Sequence, residues 1–414
     1  MKSNHKSVSN IYQDKNLYII IGVTLISVLG VMSLNPILPT IGKSLNLSPQ
    51  QIGLIMTSFL VPIAIGTPIF GVLADRIGRK KILVPSLLLF ALGGTLSAFA
   101  QDFRSLLEWR FLQGIGAASL ETLSLTMISD LYGGKMLTAA MAFNTSMIGI
   151  SATVYPLIGG GLAQLNWRYT FALSLLAVPL AVLISTKLKL PKTQSNAGHF
   201  HLNTYLKETW SSVNNSQVIG LMFAVLSLFI LEFGACFICV PIVAADSLGA
   251  SGAVIGILLA IMELSLAFFA SQLGLFARKL SETRLIKVCF VLCALGLLMI
   301  PVIHNVWLLL LPMIILGAGL GIGLPSIQTM FARLAPENNR ATFMALNVTL
   351  QSVGRAMGPA LAGIGFGLLG IQGVFYASAG FAVVTFVLLS FFLKKVTQKN
   401  DYKALLPSDG HSLH

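Results

Sequence analysis

The chain has 414 residues, of which 55% are hydrophobic and only 10% charged, with a formal net charge of +13. Long apolar runs at regular intervals exclude a soluble globule, which would lack the polar surface to cover them, and leave an integral membrane protein. The basic excess is accounted for by retention of Lys and Arg on the cytoplasmic side of a membrane, so it does not call for a nucleic-acid partner.

Met1 to Lys15 is polar and lacks an apolar core followed by a cleavage site, which argues against a secretory signal peptide. Twelve apolar runs follow, each near the roughly 20 residues needed to cross a bilayer core. They cover 17–41, 51–72, 82–100, 104–128, 137–162, 169–188, 217–243, 252–277, 284–302, 306–331, 341–366 and 374–393. With a cytoplasmic N terminus, 22 of the 27 Lys and Arg fall in the tails and inner loops. Lys43, Arg104 and Arg168 fall outside, and Arg110 and Arg355 lie within helices. The asymmetry predicts that both termini face the cytoplasm across a plasma (inner) membrane. Trp167 and Trp307 then sit at outer helix ends, where an amphipathic indole suits the interface.

The chain repeats itself at a constant offset of 203 residues: Gly71 matches Gly274, Gly114 and Gly116 match Gly317 and Gly319, and Thr126-Met127 matches Thr329-Met330. The same offset aligns "MAFNTSMIGISATVYPLIGG" from Met141 with "MALNVTLQSVGRAMGPALAG" from Met344. Two homologous six-helix halves follow, 1–188 and 217–414, joined by a polar linker over 189–216 in which Tyr205, Leu206 and Trp210 can rest on the inner leaflet. Such a pair of halves suits rocking about a central site.

The stretch "GVLADRIGRKKIL" (71–83) lies on the inner face between helices 2 and 3. Lys80 and Lys81 need only the positive-inside rule. Asp75 needs another reason: helix 11 begins on the same face, and its unpaired N–H groups and partial positive charge suit a nearby carboxylate. The aligned position in the second half is Arg278, so the acid occurs once. Gly78 permits a sharp turn, and Arg79 can bridge to Asp75 or to a neighbouring helix end.

Gly71, Asp75, Gly78, Arg79 and Lys80 in this register resemble the signature loop of the major facilitator superfamily. "RFLQGIGAA" (110–118), with Arg110, Gln113, Gly114 and Gly116, resembles the fourth-helix motif of its 12-spanner drug/proton antiporter branch. The resemblance spans nearly the whole chain. It implies the major facilitator fold, an all-α membrane protein with 12 transmembrane helices in two homologous six-helix halves, and secondary active transport by alternating access. It also implies that Gly71, Asp75, Gly78 and Arg79 form a clasp that latches the halves on the inner side when the transporter opens outward.

Charged groups inside a bilayer are costly and mark function. Five occur within helices: Arg110 and Glu121 in helix 4, Glu232 in helix 7, Glu263 in helix 8 and Arg355 in helix 11. Arg110 and Glu121 lie about three turns apart on one face, at roughly 16 Å, so they do not pair directly but can bracket one cavity. The resemblance implies that helices 4 and 7 line it. Glu121 is the preferred cavity residue, with Gln113 and Thr122 as polar neighbours. Glu232, Glu263 and Arg355 fall near mid-membrane, where a carboxylate can bind and release a proton; alternatively Glu232 and Arg355 form a static pair and Glu263 stays protonated in the bundle.

Two features depart from the antiporter pattern. "SATVYPLIGG" keeps Pro156, Gly159 and Gly160 but has Tyr155 where Gly is expected, whereas "GRAMGPALAG" is complete with Gly354, Gly358 and Pro359; these positions also suit helix packing or bending. Helix 1 carries "SLNPILPTIG", with Asn35 and no acid. Cys236 with Cys239, and Cys289 with Cys293, read as packing residues, His199 and His201 form a poor metal signal, and the Gly-rich 317–325 lies inside apolar helix 10 rather than after a strand. No cofactor or metal site is expected. The partners expected are the lipid bilayer, a small-molecule substrate and protons, with a monomeric chain. The function expected is export of small amphiphilic or organic molecules by proton antiport. A carrier of the same fold for a sugar, lipid or metabolite, or a membrane sensor without transport, are the alternatives.

Overall fold

The computed structural model describes residues 13–188, 190, 216–334 and 340–393, with the side chains of Asp75, Lys135 and 340–345 outside that description. The 189–216 linker, apart from residues 190 and 216, thus lies outside the described residues, including His199, His201, Tyr205, Leu206 and Trp210. The described chain is helical, and every predicted span is met by a helix. These are α1 (Lys15–Ser44), α2 (Pro49–Ile77), α3 (Arg79–Ala98), α4 (Phe103–Leu131), α5 (Gly134–Ala163), α6 (Arg168–Thr186), α7 (Ser216–Ser247), α8 (Gly252–Ser271), α9 (Glu282–Val302) and α10 (Val306–Leu334). The last helical segment, Arg340–Phe392, has 53 residues, about 80 Å of helix and far more than one bilayer crossing. Gly370, with φ 69° and ψ 174°, breaks it into α11 (340–369) and α12 (371–392), which completes 12 crossings.

Local chemistry sets the boundaries. Ser48 and Gln51 form a reciprocal capping box at the start of α2, and Asp102 and Ser251 accept from the backbone N–H groups of Ser105 and Val254 to start α4 and α8. Gly78 takes φ 108°, a conformation that side-chain-bearing residues avoid, and so turns α2 into α3 as the sequence predicted. Three helices are irregular in mid-span. α1 passes through a 3-10 turn at Asn35–Ile37, α4 breaks between Ala117 and Leu120, and α7 winds as a π-helix over Leu231–Cys239. Such interruptions free backbone groups at a cost that is usually met at functional sites.

The first six helices meet the last six along two seams, α2 on α11 and α5 on α8. Glycines let the backbones touch. A Cβ at Gly53 would collide with the carbonyl oxygen of Pro359, and one at Gly256 with that of Pro156. Gly160 lies likewise against Gly252, and Gly363 against the backbone of Gln50. These contacts obey the repeat: Gly53 and Gly256 are 203 residues apart, as are Pro156 and Pro359, and Gly160 and Gly363. Both seams lie on the side of the bundle away from the chain ends, hereafter the distal side.

Ion pairs follow the same symmetry. Lys43 Nζ at the distal end of α1 lies 3.0 Å from Asp246 Oδ1 at the distal end of α7, and these two residues are themselves 203 apart, so the pair bridges equivalent points of the two halves. On the opposite side, Arg79 Nε lies 2.7 Å from Asp130 Oδ2, joining α3 to α4. Its repeat counterpart joins α9 to α10 with the charges exchanged, Glu282 to Arg333 at 3.2 Å.

The distal seal is open to direct test. With Lys43→Cys and Asp246→Cys, a short thiol cross-linker is expected to join the halves, stop transport, and release it on cleavage of the linker. Adding Gly256→Leu to that background forces α5 and α8 apart without touching either half's core. The cross-linking rate is expected to fall at least severalfold; an unchanged rate would show that the seam does not set closure.

Candidate functional site

Below the seal, the two halves enclose a cavity of about 350 Å3. Its lining is mostly apolar, drawn from α1, α2, α4, α5, α7, α8 and α11, and includes three ionisable side chains: Glu121, Glu263 and Arg355. The break in α4 places Glu121 in the first turn of the segment that restarts at Leu120, where the partial positive charge of a helix start favours a carboxylate. Its side chain is about half exposed.

Arg355 reaches Glu121 from across the cavity, its Nη1 donating to Glu121 Oε2 at 3.4 Å. The pair therefore joins α4 of the first half to α11 of the second. Behind it the guanidinium rests on α7, with its central carbon 5.0 Å from the Phe229 ring centroid and 5.8 Å from that of Phe233. Its side chain is 28% exposed against 49% for Glu121, and a pair so wetted contributes only about 0–1 kcal/mol. It orients the cavity's charges but is easily parted.

Glu232 and Glu263 are both buried, at 5% and 6% exposure. Glu263 forms part of the cavity wall, while Glu232 stands behind it beside Phe233. Glu232 Oε2 and Glu263 Oε1 have no hydrogen-bond partner among the described residues. The two carboxylates act on each other electrostatically, and Arg355 attracts Glu232. The static Glu232–Arg355 pair left open by the sequence is not the arrangement seen: the ion pair of Arg355 is with Glu121.

Arg110 and Gln113 belong elsewhere. Arg110 is 1% exposed and ties three helices together: Nη1 donates to Gln113 Oε1 at 2.7 Å, Nη2 to the Gly30 carbonyl of α1 at 3.2 Å, and the guanidinium lies 4.0 Å from the Phe59 ring centroid of α2. The void beside it is only about 10 Å3, room for about one water. Arg110 and Glu121 thus do not bracket one cavity as a continuous helix face would have it. Ala118 and Ser119 interrupt α4 between them. Asn35 is fully buried in the 3-10 turn of α1 and does not line the cavity.

At the clasp stretch, Gly71 lies in α2 facing Thr122, Gly78 makes the turn, and Arg79 is buried on Asp130. Asp75 is helical, but its side chain lies outside the described residues. The Pro and Gly positions all serve close packing. Pro156 and Pro359 offer the carbonyls that receive Gly256 and Gly53, Gly159 sits on Ser33 of α1 and Gly160 on Gly252 of α8, and Gly354 and Gly358 bring α11 onto α7 at Phe229 and Gly234. The Gly-rich 317–325 packs α10 on α8, with Gly317 against Met262 and Gly321 against Leu266. All four cysteines are buried and free, and no metal-holding cluster occurs among the described residues.

Asp130, Glu282, Arg333, Lys43 and Asp246 were not singled out from the sequence, although a signal was there. Positions 79 and 282, 130 and 333, and 43 and 246 are repeat mates bearing opposite charges.

The model of the Major Facilitator Superfamily matches residues 20–243 and again 222–408. The chain is 25% identical to Multidrug resistance protein 2 of Bacillus subtilis (strain 168) over 406 residues, 96% of this chain and 99% of that one. It is 26% identical to Tetracycline resistance protein, class H, of Pasteurella multocida over 84% of this chain and 88% of that protein. A 35% identical match to the Bacillibactin exporter of Bacillus subtilis (strain 168) covers only 38% of this chain and 41% of the relative. Among solved structures, a bacterial homolog of the human lysosomal transporter Spinster superposes with a TM-score of 0.79 at 14% identity, over 95% of this chain and 99% of that one. The xylose transporter XylE from E. coli does so with a TM-score of 0.69 at 17% identity, over 94% and 98%. At those identities the superpositions establish the fold alone. Twelve crossings, a doubled architecture closed by mirrored glycine seams, and two overlapping family matches that together span 20–408 lead to one conclusion: the chain belongs to the Major Facilitator Superfamily and is a membrane transporter, not an enzyme.

Proposed function

We propose that this protein exports amphiphilic organic molecules by alternating access, in exchange for protons. One observation carries the reading: a largely apolar cavity between the halves holds a weak ion pair, Glu121–Arg355, that joins one half to the other. An apolar wall with few fixed polar groups suits varied amphiphiles better than a sugar, whose hydroxyls demand matched donors and acceptors. The relatives named as multidrug and tetracycline resistance proteins support export.

The distribution of Lys and Arg supports placing both termini in the cytoplasm and the chain in the inner membrane. The distal side is then external, and the described conformation, sealed by Gly53–Pro359 and Gly256–Pro156, is inward-facing. The Spinster homolog and XylE structures it resembles are likewise named inward-facing and inward-open. Residues 1–188 and 217–414 act as the two moving bodies, with 189–216 as their cytoplasmic tether. Outward opening brings the 71–83 loop to the start of α11, where Asp75 meets the positive helix end and the clasp closes. Each chain holds its own cavity, which supports a monomer as the working unit.

The reading is tested with inside-out vesicles acidified on the inside. They are expected to accumulate ethidium severalfold above vesicles lacking the protein, and nigericin, by collapsing the pH gradient, is expected to abolish the difference. Accumulation indifferent to nigericin contradicts proton exchange. Glu121→Gln keeps size and hydrogen bonding but removes the charge, and gradient-driven uptake is expected to fall at least tenfold at unchanged protein level.

A further inference from the structure

Resting on the export reading, the geometry points to Arg355 as the residue that couples cargo to protons, by exchanging its partner from Glu121 to Glu232 when a cationic amphiphile takes Glu121. Three observations carry this. The first is the fragility of the present pair: at 3.4 Å and with both side chains partly exposed, Glu121 yields Arg355 to a competing cation at small cost. The second is what waits behind it. Arg355 Nε is a buried donor without a partner among the described residues, and Glu232 Oε2 is a buried acceptor in the same condition. Buried polar groups are nearly always satisfied, so an open donor on the guanidinium that rests on Phe229 and Phe233, and an open acceptor on Glu232 of the same helical turn, indicate a second arrangement that joins them.

The third is the pivot. Phe229 and Phe233 sit three residues before and one residue after Glu232, and both rings already face the Arg355 guanidinium. The guanidinium therefore turns from Glu121 toward Glu232 without leaving its aromatic bed. The other titratable groups that act on or with Glu232 are Glu263 of α8, Cys236 of α7 and Cys289 of α9. None is a cation, and Arg355 is the positive charge that acts on Glu232.

The charges balance. Before cargo enters, Arg355 is paired with the Glu121 carboxylate and Glu232 is a neutral carboxylic acid. The cation then pairs with Glu121, Arg355 turns, and the O–H bond of Glu232 breaks, its proton passing Glu263 on the cavity wall to reach water in the cavity while the electron pair stays on the carboxylate that Arg355 now meets. One cation enters and one proton leaves, and the net charge of the site is unchanged. In the inward-facing state that proton goes to the cytoplasm; after outward opening the steps reverse, and a proton from outside returns Arg355 to Glu121 as cargo departs. A neutral amphiphile fills the same cavity without moving the arginine, and so is bound without proton release.

The test uses the full-length protein in detergent, titrated with tetraphenylphosphonium in weak buffer containing a pH indicator. The parent is expected to release about one proton per cation bound, and its affinity to change about tenfold per pH unit over the coupled range. Glu232→Gln is expected to bind the cation and release no proton. Arg355→Leu is expected to bind at least tenfold more tightly, having lost the internal competitor, with little pH dependence. If Arg355→Leu does not accumulate, the parent stoichiometry and the isosteric Glu232→Gln decide. Binding without proton release in the parent, or release undiminished in Glu232→Gln, overturns the exchange; no binding to the parent overturns the cationic cargo. A parent that releases its proton yet shows no nigericin-sensitive flux in vesicles contradicts the export reading and leaves the exchange standing.

Discussion

Backbone-to-backbone contact at two mirrored places governs this molecule. Where Gly53 meets the Pro359 carbonyl and Gly256 meets that of Pro156, the halves approach as closely as polypeptide permits. In lipid, where apolar side chains gain nothing by leaving a hydrocarbon solvent, such close packing of small residues is the main source of helix association. It also makes the contact conditional. Contacts built from small residues let the two backbones part without a large side chain having to leave a pocket. The seams sit at one end only, so closing that end leaves the charged cavity toward the other.

The repeat divides the residues into two kinds. Those that recur at 203 residues build the frame: Gly53 and Gly256, Pro156 and Pro359, Gly160 and Gly363. The recurring ion pairs go further, since Arg79–Asp130 and Glu282–Arg333 do the same joining with the charges exchanged. The charges in and behind the cavity do not recur. Glu121 faces Leu324 in the repeat, Glu232 faces Leu29, Glu263 faces Leu60, and Arg355 faces Ala152. Duplication gave the two halves a common hinge geometry, and the chemistry rests on the positions where they differ.

Much of the frame was legible in the sequence because it depends on composition and period. Apolar runs gave the spans, and one offset gave the halves. The boundary between α11 and α12 was legible too, since Gly370, with φ 69°, breaks the chain in the gap between the predicted runs 341–366 and 374–393. The site was less legible, for a definite reason. Inferring shared faces assumes 3.6 residues per turn throughout, and two of the helices that carry the charges, α4 and α7, break that rule. The interruption at Ala118 and Ser119 separates Arg110 from the cavity that Glu121 enters, and the π-helical turn of α7 alters the direction in which Glu232 projects. Sequence spacing thus put Arg110 on a cavity it does not line, and the partner it offered Arg355 was Glu232, whereas the ion pair seen is with Glu121.

The central claim is that the two ends of the bundle open in opposition, with the glycine seams as the distal contact. Electron-spin distance measurements on two labelled pairs test it most directly: positions 165 and 308 on exposed Leu165 and Leu308 at the distal end, and positions 187 and 279 on Lys187 and Lys279 at the other. On saturation with tetraphenylphosphonium the distal distance is expected to lengthen while the opposite distance shortens. Distances that change in the same sense, or a distal distance that stays fixed while transport proceeds, would contradict it.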